Sequence, residues 1–199
     1  MSSTIVDDLA QRGWSRQTLF LPAELTRALA ADCLRRSAQG ELSPAAIGRG
    51  DAQTVHEAVR GDQTQWLEPG ETQACDRYLA VMDSLRLDLN RGLFLGLEDF
   101  ECHFALYPPG AFYRRHLDRF RDDDRRTVST VLYLNEAWQP GDGGELRLFL
   151  GERDVLDVAP VAGSLVVFLS GEVPHEVLAT QRERLSLTGW FRRRGNEPF

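Results

Sequence analysis

Hydrophobic residues recur at steps of three and four positions in two segments of the first half of the chain. The first segment opens with Leu21 and Pro22, and proline suits the first turn of a helix. Its apolar positions are Leu25, Leu29, Ala30 and Leu34. The second segment runs from Glu71 to about Leu93. Its apolar positions are Ala74, Tyr78, Leu79, Met82, Leu85 and Leu89. Because this spacing puts the apolar side chains on one face, each segment is predicted to be an amphipathic helix.

The residues between these two helices, Gly40–Gly70, are polar and rich in glycine. Two short apolar runs, Ala45-Ala46-Ile47 and Gln65-Trp66-Leu67, are candidates for short strands. A stretch of this length without secondary structure is unusual inside a small domain. We therefore expect a hairpin or a mobile flap over about residues 40–70.

The second half of the chain changes to short runs rich in Val, Leu, Phe, Tyr and Thr, separated by turn clusters such as Pro108-Pro109-Gly110 and Asp142-Gly143-Gly144. The runs are Phe100–Tyr107, Ala111–His116, Thr127–Leu134, Glu145–Leu150, Val155–Val158, Ser164–Leu169, Glu176–Ala179 and Leu185–Phe191. Seven or eight strands at such spacing predict a sandwich or a barrel, with the helices packed outside it.

Composition narrows the class of protein. The 199 residues contain 23 Lys and Arg against 30 Asp and Glu, a formal net charge of −7. A chain of this length favours one domain over residues 1–199. Because an acidic protein gains little from the release of counterions by a polyanion, we expect no nucleic-acid partner.

The three cysteines, Cys33, Cys75 and Cys102, form no CxxC pair, which disfavours a zinc or disulfide-exchange motif. No basic and apolar leader opens the chain, so we expect reduced thiols in a cytoplasmic protein. The longest apolar run, Gly163–Leu169, has the length of a strand and falls well short of a membrane-spanning helix. We expect no membrane partner.

His116-Leu117-Asp118 is the first candidate for chemistry. Residues i and i+2 of a strand share a face, so the imidazole and the carboxylate would converge, and His175 from another strand could supply a third ligand. Two histidines and one carboxylate leave coordination positions open, which suits iron(II) that holds a co-substrate and dioxygen. The HxD pair alone is also compatible with a hydrogen-bonded pair on the surface.

A second candidate is the strand that begins at Arg184, whose alternation puts Arg184, Ser186, Thr188 and Trp190 on one face. Leu185, Leu187 and Phe191 lie on or near the other face. An arginine inside a small barrel needs an anion, and the distal carboxylate of a dicarboxylic ligand would serve. Thr188 could add a hydroxyl and Tyr133 a phenol. An outward-facing arginine on an edge strand, followed by a tryptophan of the core, is the other reading of this pattern.

Taken together, these residues resemble the iron(II)- and 2-oxoglutarate-dependent oxygenases, and among them the prolyl hydroxylases of the hypoxia-sensing type and their bacterial relatives. The resemblance covers about Arg60–Arg192 and includes further motifs in the same order. They are Arg60-Gly61-Asp62 with Trp66, Tyr107-Pro108, Tyr113-x-x-His116, Leu132-Tyr133-Leu134-Asn135, Gly143–Phe149 and Pro174-His175-Glu176-Val177.

This resemblance implies an α+β fold: a double-stranded β-helix of the jelly-roll or cupin-like kind, with supporting N-terminal helices packed on one sheet. Residues 1–95 would supply the helical support and the substrate-covering flap. Residues 96–193 would form the double-stranded β-helix core of this single oxygenase domain.

The resemblance also implies roles for individual residues. His116, Asp118 and His175 would bind Fe²⁺. The residues implied around 2-oxoglutarate are Arg184 at its distal carboxylate, Tyr133, Thr188, Tyr107, Tyr113 and Trp190. The residues implied in the substrate-covering loop are Arg60, Asp62, Trp66 and Arg126, with a salt bridge between Asp62 and Arg126 and with Trp66 packed at the base of the loop.

The implied reaction is the hydroxylation of a prolyl residue in a protein substrate by dioxygen, coupled to the decarboxylation of 2-oxoglutarate to succinate and carbon dioxide. Microbial relatives point to a translation component such as elongation factor Tu, and ascorbate is a further cofactor that the family suggests. A monomer is compatible with this activity. The segment Arg119–Arg125 is more highly charged than in the animal enzymes, a departure that concerns the identity of the substrate and not the chemistry.

Two other functions stay open on the sequence alone. A nucleic-acid demethylase of the same superfamily would use the same triad, and it would need a basic groove and stacking aromatic residues. A non-enzymatic β-barrel binding module would use the histidines as ordinary polar residues. Hydrolysis by a Cys-His or Ser-His pair is disfavoured, because the sequence contains no nucleophile motif such as GxSxG.

His56 and His103 are predicted to be structural, because neither has a carboxylate two positions away.

Overall fold

The computed structural model of the protein describes residues 2–47, 54–55, 58–119 and 123–195. The helices in this part of the chain are α1 (Ser2–Arg12), α2 (Ala23–Ala38) and α3 (Gln73–Leu93). The strands are β1 (Trp14–Gln17), β2 (Ser43–Pro44), β3 (Ala46–Ile47), β4 (Thr54–Val55), β5 (Gln63–Trp66), β6 (Leu97–Tyr107), β7 (Tyr113–His116), β8 (Arg126–Tyr133), β9 (Leu146–Phe149), β10 (Val155–Val158), β11 (Leu165–Leu169), β12 (His175–Val177) and β13 (Arg184–Arg193).

The strands form two principal sheets. The larger sheet has seven strands in the order β1-β11-β8-β13-β6-β5-β2, and the smaller sheet has four in the order β10-β9-β12-β7. Every strand pair in both sheets is antiparallel. This arrangement confirms the predicted two-sheet architecture, and it leaves one face of the larger sheet for the helices and the other for a cavity.

The helices pack on one face of the larger sheet, as predicted. Their apolar side chains form one continuous core with residues of β6, β8, β11 and β13. Central members of this core are Ile5, Leu29, Tyr78, Met82, Phe104, Leu132, Leu187 and Phe191. The alternation of side chains along β13 explains why the core and the cavity lie on opposite faces of the larger sheet. Leu187 and Phe191 enter the core, while Arg184 and Trp190 face the cavity.

The structure differs from the sequence prediction at the N-terminus. Helix α1 and strand β1 had no predicted counterpart. Strand β1 is short and mixed in polarity, so it carries no recognisable period, and it forms by pairing with β11 at the sheet edge, with Trp14 opposite Phe168. Helix α2 begins at Ala23, which makes Pro22 its N-cap and places this proline just before the first turn.

The predicted hairpin or flap corresponds to two short strand pairs. Strand β3 pairs with β4, and β2 pairs with β5, which continues into the larger sheet through β6. Residues 48–53 and 56–57, including His56, lie outside the described residues. All three cysteines are buried free thiols, in line with the expected reduced state. In the described part of the chain, no helix has both the length and the apolar character needed to cross a bilayer.

Candidate metal centre and active-site cavity

Strand pairing brings the predicted ligands together across a long separation in sequence. His116 ends β7 and His175 begins β12, and these two residues are direct partners in the antiparallel ladder. Asp118 follows two positions after His116. Its Oδ1 lies 3.5 Å from His116 Nε2 and its Oδ2 lies 3.6 Å from His175 Nε2. One ligand atom from each of the three residues lies within 4.8 Å of the others, so the predicted triad converges on one point.

Hydrogen bonds fix which ring nitrogens face the triad. His116 Nδ1 lies 2.7 Å from the carbonyl oxygen of Arg114, and His175 Nδ1 lies 3.1 Å from that of Val173. Because a carbonyl oxygen only accepts, each Nδ1 carries the proton and each Nε2 is left with a free lone pair. This tautomer is the one that binds a metal through Nε2.

The carboxylate is oriented from the larger sheet. Ser129 Oγ donates a hydrogen bond of 2.7 Å to Asp118 Oδ2 and also lies 2.8 Å from Ser170 Oγ. Burial opposes the ionisation of Asp118, but His175, His116 and the Ser129 hydroxyl outweigh it and hold its pKa well below the ordinary value. Burial also lowers the pKa of His175 to about 4. The site therefore offers two imidazoles, each with Nε2 directed at Asp118, and one carboxylate, a donor set that fits Fe²⁺.

A cavity of about 450 Å³ joins this triad to Arg184. Arg184 is only 1% exposed. Its Nε donates to the carbonyl oxygen of Gly144 at 2.8 Å and its Nη1 donates to Ser186 Oγ at 3.2 Å. Its Nη2 is buried and has no acceptor of acceptable geometry among the described residues. Arg184 thus points into the interior, which excludes the outward-facing placement.

Two tyrosines flank the Arg184 guanidinium. Its Cζ lies 4.9 Å from the ring centroid of Tyr107 and 5.2 Å from that of Tyr133. Burial raises the pKa of Tyr133 to about 12 although Arg184 opposes this shift, so the phenol stays protonated. The Tyr133 hydroxyl is also buried without a partner of acceptable geometry among the described residues. The Arg184 Nη2 and the Tyr133 hydroxyl, which both lack a partner of acceptable geometry among the described residues, fit an incoming carboxylate, which the distal end of 2-oxoglutarate would supply.

Gly144 permits the close approach of Arg184. A Cβ at this position would lie 3.0 Å from Arg184 Cδ, and the residue has a φ of +68°.

Thr188 lines the cavity on the same face of β13 as Arg184, as the alternation predicts.

Tyr113 and Arg60 stack in sequence on the ring of His116. The ring of Tyr113 stacks on His116 with centroids 3.7 Å apart, and the guanidinium of Arg60 lies 4.5 Å from the Tyr113 centroid. Arg60 in turn binds Asp62 through two hydrogen bonds of 2.8 and 2.6 Å. Asp62 is 2% exposed, so this ion pair anchors the stack inside the protein.

The prediction of a salt bridge between Asp62 and Arg126 is wrong. Asp62 is held by Arg60 two residues away. Arg126 Nε instead donates to Glu101 at 2.9 Å, and the Arg126 guanidinium covers the ring of Trp190 at 3.6 Å. The reason is the strand order: β8 and β6 both flank β13, so Glu101 and Arg126 meet across that strand.

Trp66 and His103 complete the cavity wall. Trp66 is 45% exposed, and its ring lies 5.1 Å from that of His103 and 6.1 Å from that of Trp190. His103 lines the cavity as well, although the sequence predicted only a structural role for it. Counting back by two from Tyr107 along β6 would have placed His103 on the inner face.

Comparison with known proteins identifies the family. A family model described as the 2OG-Fe(II) oxygenase superfamily matches residues 102–192. The crystal structure of a Pseudomonas putida prolyl-4-hydroxylase is 70% identical, covers 98% of this chain and 100% of its own, and superposes with a TM-score of 0.91. The chain belongs to the prolyl hydroxylases of the 2OG-Fe(II) oxygenase superfamily. Membership implies Fe²⁺, 2-oxoglutarate and dioxygen, and the His116, Asp118 and His175 cluster supplies the iron site.

Two animal proteins of this family are less similar to the chain. A prolyl hydroxylase from Trichoplax adhaerens, solved with a hypoxia-inducible factor peptide fragment, is 29% identical over 96% of this chain and 88% of its own, with a TM-score of 0.85. The hypoxia-inducible factor prolyl hydroxylase of Caenorhabditis elegans is 27% identical over 94% of this chain. The chain spans only 27% of the length of that curated relative. The jelly-roll fold expected from the resemblance is confirmed by these structural neighbours.

Proposed function

We propose that this protein hydroxylates a prolyl residue of a protein substrate, using dioxygen and converting 2-oxoglutarate to succinate and carbon dioxide. The observation that carries the proposal is the pairing of the His116, Asp118 and His175 cluster with a buried, incompletely paired Arg184 across one cavity. The first element suits a redox metal and the second suits a dicarboxylate, and the reaction needs both.

The triad would hold the metal without a rearrangement of the protein. Both Nε2 atoms already face Asp118, and Ser129 already orients the carboxylate. When bound, Fe²⁺ together with 2-oxoglutarate supplies the electrons that activate dioxygen for attack on an unactivated carbon. The protein needs no general base for this reaction, so its own side chains serve to bind, orient and exclude water.

The co-substrate would lie between the triad and Arg184. The guanidinium and the Tyr133 hydroxyl would donate hydrogen bonds to the distal carboxylate, and Thr188 lies on the same inner face. Tyr107 would bound the cavity beside Arg184. Tyr113 would keep the His116 ring in place through stacking, while Arg60 and Asp62 fix Tyr113 from behind.

A protein substrate fits the open end of the cavity, where Trp66 is half-exposed. The Trichoplax adhaerens relative was solved with a peptide fragment, which supports a segment of a protein as the substrate. A translation component such as elongation factor Tu is the first candidate. Ascorbate dependence, a cytoplasmic location, a monomeric state and the absence of a nucleic-acid partner stay predictions of the sequence.

Incubation of the iron-loaded enzyme with lysate from cells that lack it, together with 2-oxoglutarate and dioxygen, tests the proposal. We expect mass spectrometry to find a mass increase of one oxygen atom on proline in one or a few proteins, including elongation factor Tu, and succinate formed in the same reaction. N-oxalylglycine, in which NH replaces a methylene of 2-oxoglutarate, is the control and should suppress the modification. Oxygen added only to nucleic acid, or no modification at all, would contradict the proposal.

A further inference from the structure

His103 is a titratable group in the cavity wall that neither the metal site nor the Arg184 end uses. It lies on β6, in register with Trp66 of β5 on one side and Thr188 of β13 on the other. The side chains of these three residues line the same cavity. His103 is 4% exposed, and its ring contacts the rings of Trp66 and Trp190, with centroids 5.1 and 5.5 Å away.

The hydrogen bonding of His103 leaves one ring nitrogen open. Nδ1 lies 3.0 Å from the carbonyl oxygen of Phe104, and since a carbonyl only accepts, Nδ1 carries a proton. Burial lowers the pKa of His103 to about 4; the facing charge of Asp62 opposes this shift, and the charges of Arg60 and Arg126 add to it. The imidazole therefore has a single proton at neutral pH, and Nε2 is an acceptor. None of the described residues donates a hydrogen bond to Nε2.

We propose that His103 is a substrate-binding residue whose Nε2 accepts a hydrogen bond from a backbone N–H of the protein substrate, next to the target proline. The inference rests on the proposed function and deepens it. A prolyl residue has no N–H of its own, so the flanking residue must supply the nearest backbone donor. The rings of Trp66 and Trp190, which lie next to His103 and 6.1 Å from each other, would contact the apolar parts of the same segment.

Two substitutions separate the two ring nitrogens. In His103→Asn the amide N–H can still reach the Phe104 carbonyl, but the acceptor at the Nε2 position is lost. In His103→Gln the longer side chain can place its amide oxygen near the Nε2 position. Both side chains are uncharged at all pH values used, so a difference between them reports on the acceptor rather than on charge.

The test measures the initial rate of prolyl hydroxylation in the soluble lysate of cells lacking the enzyme, over a series of lysate dilutions. We expect His103→Asn to lower the rate about tenfold in dilute lysate, the size of one lost hydrogen bond, with a smaller defect in concentrated lysate. His103→Gln should recover to within about threefold of the wild type. The rise in melting temperature on adding N-oxalylglycine and Mn²⁺ should be the same in all three proteins.

Every outcome bears on the proposal. If the wild type hydroxylates proline and His103→Asn is equally fast, or if His103→Gln is as slow as His103→Asn, then Nε2 does not bind the substrate and the inference is wrong while the proposed function stands. A loss of the N-oxalylglycine effect in His103→Asn would instead assign the residue to the co-substrate. If the wild type hydroxylates no proline, the proposed function fails and this inference falls with it.

Discussion

Asp118→Ala should abolish prolyl hydroxylation and weaken Fe²⁺ binding by more than about 100-fold, the largest effect that loss of an outer-shell partner alone produces. The reason is that Asp118 supplies the only carboxylate oxygen of the cluster and lies within 3.6 Å of both histidine Nε2 atoms. Anaerobic calorimetry with Fe²⁺ measures the affinity, and succinate formation measures turnover. The fold should persist, since Asp118 belongs to no cluster of buried apolar side chains.

Asp157→Ala is the matched control for the loss of a carboxylate. Asp157 pairs with Arg147 between the strands β10 and β9, where both side chains are substantially exposed. Such a pair contributes about 0–1 kcal/mol to stability, and removing it should leave iron binding and turnover unchanged. Wild-type turnover in Asp118→Ala, or a comparable loss in both variants, would remove the basis for the proposed metal ligand.

The second large effect is expected at Arg184. Arg184→Met should raise the Michaelis constant for 2-oxoglutarate by about 30-fold to about 4000-fold, which corresponds to the 2–5 kcal/mol range for leaving a buried charge unpaired. Fe²⁺ affinity should stay near the wild-type value, because Arg184 lies across the cavity from the triad. Succinate formation at varied 2-oxoglutarate concentration provides the measurement.

Arg184→Lys distinguishes charge from packing. Lysine keeps the positive charge but lacks the planar fork of the guanidinium, so its Michaelis constant should fall between those of the wild type and Arg184→Met. Arg182→Ala, at an exposed residue that pairs with Asp142, should leave the constant unchanged. Equal constants for the wild type and Arg184→Met would show that the guanidinium is structural and has no role in holding the co-substrate.

The strand pattern accounts for how much of this site the sequence could predict. Alternation along β13 separates Arg184 from Leu185 and Leu187, but the sequence left open which of the two faces points inward. The step of two from His116 to Asp118 depends only on local geometry. The sequence offers His175 as a third ligand from another strand, and the family resemblance supports that choice; the sequence alone does not give the β12–β7 pairing that joins it to His116, because distant segments set that pairing.

The parts that the sequence did not predict depend on contacts between elements. Strand β1 exists because β11 offers an edge, and nothing in its own residues marks it as a strand. The sequence resemblance implies Arg126 as the partner of Asp62. In the structure, the neighbouring Arg60 donates to Asp62, and Arg126 donates to Glu101 across β13. The sequence analysis gave His103 a structural role because no carboxylate lies two positions away. The two-residue alternation along β6, counted from Tyr107, would have placed its side chain on the inner face.

The anaerobic titration of His175→Ala with Fe²⁺ is the most direct test of the central claim, which is that His116, Asp118 and the distant His175 together hold one metal ion. His175 is the ligand whose assignment depends most on the fold, because it reaches the site only through the pairing of β12 with β7. We expect the wild type to bind a single Fe²⁺ per chain and His175→Ala to show no saturable binding at the same concentrations. Unchanged stoichiometry and affinity in His175→Ala would contradict the account.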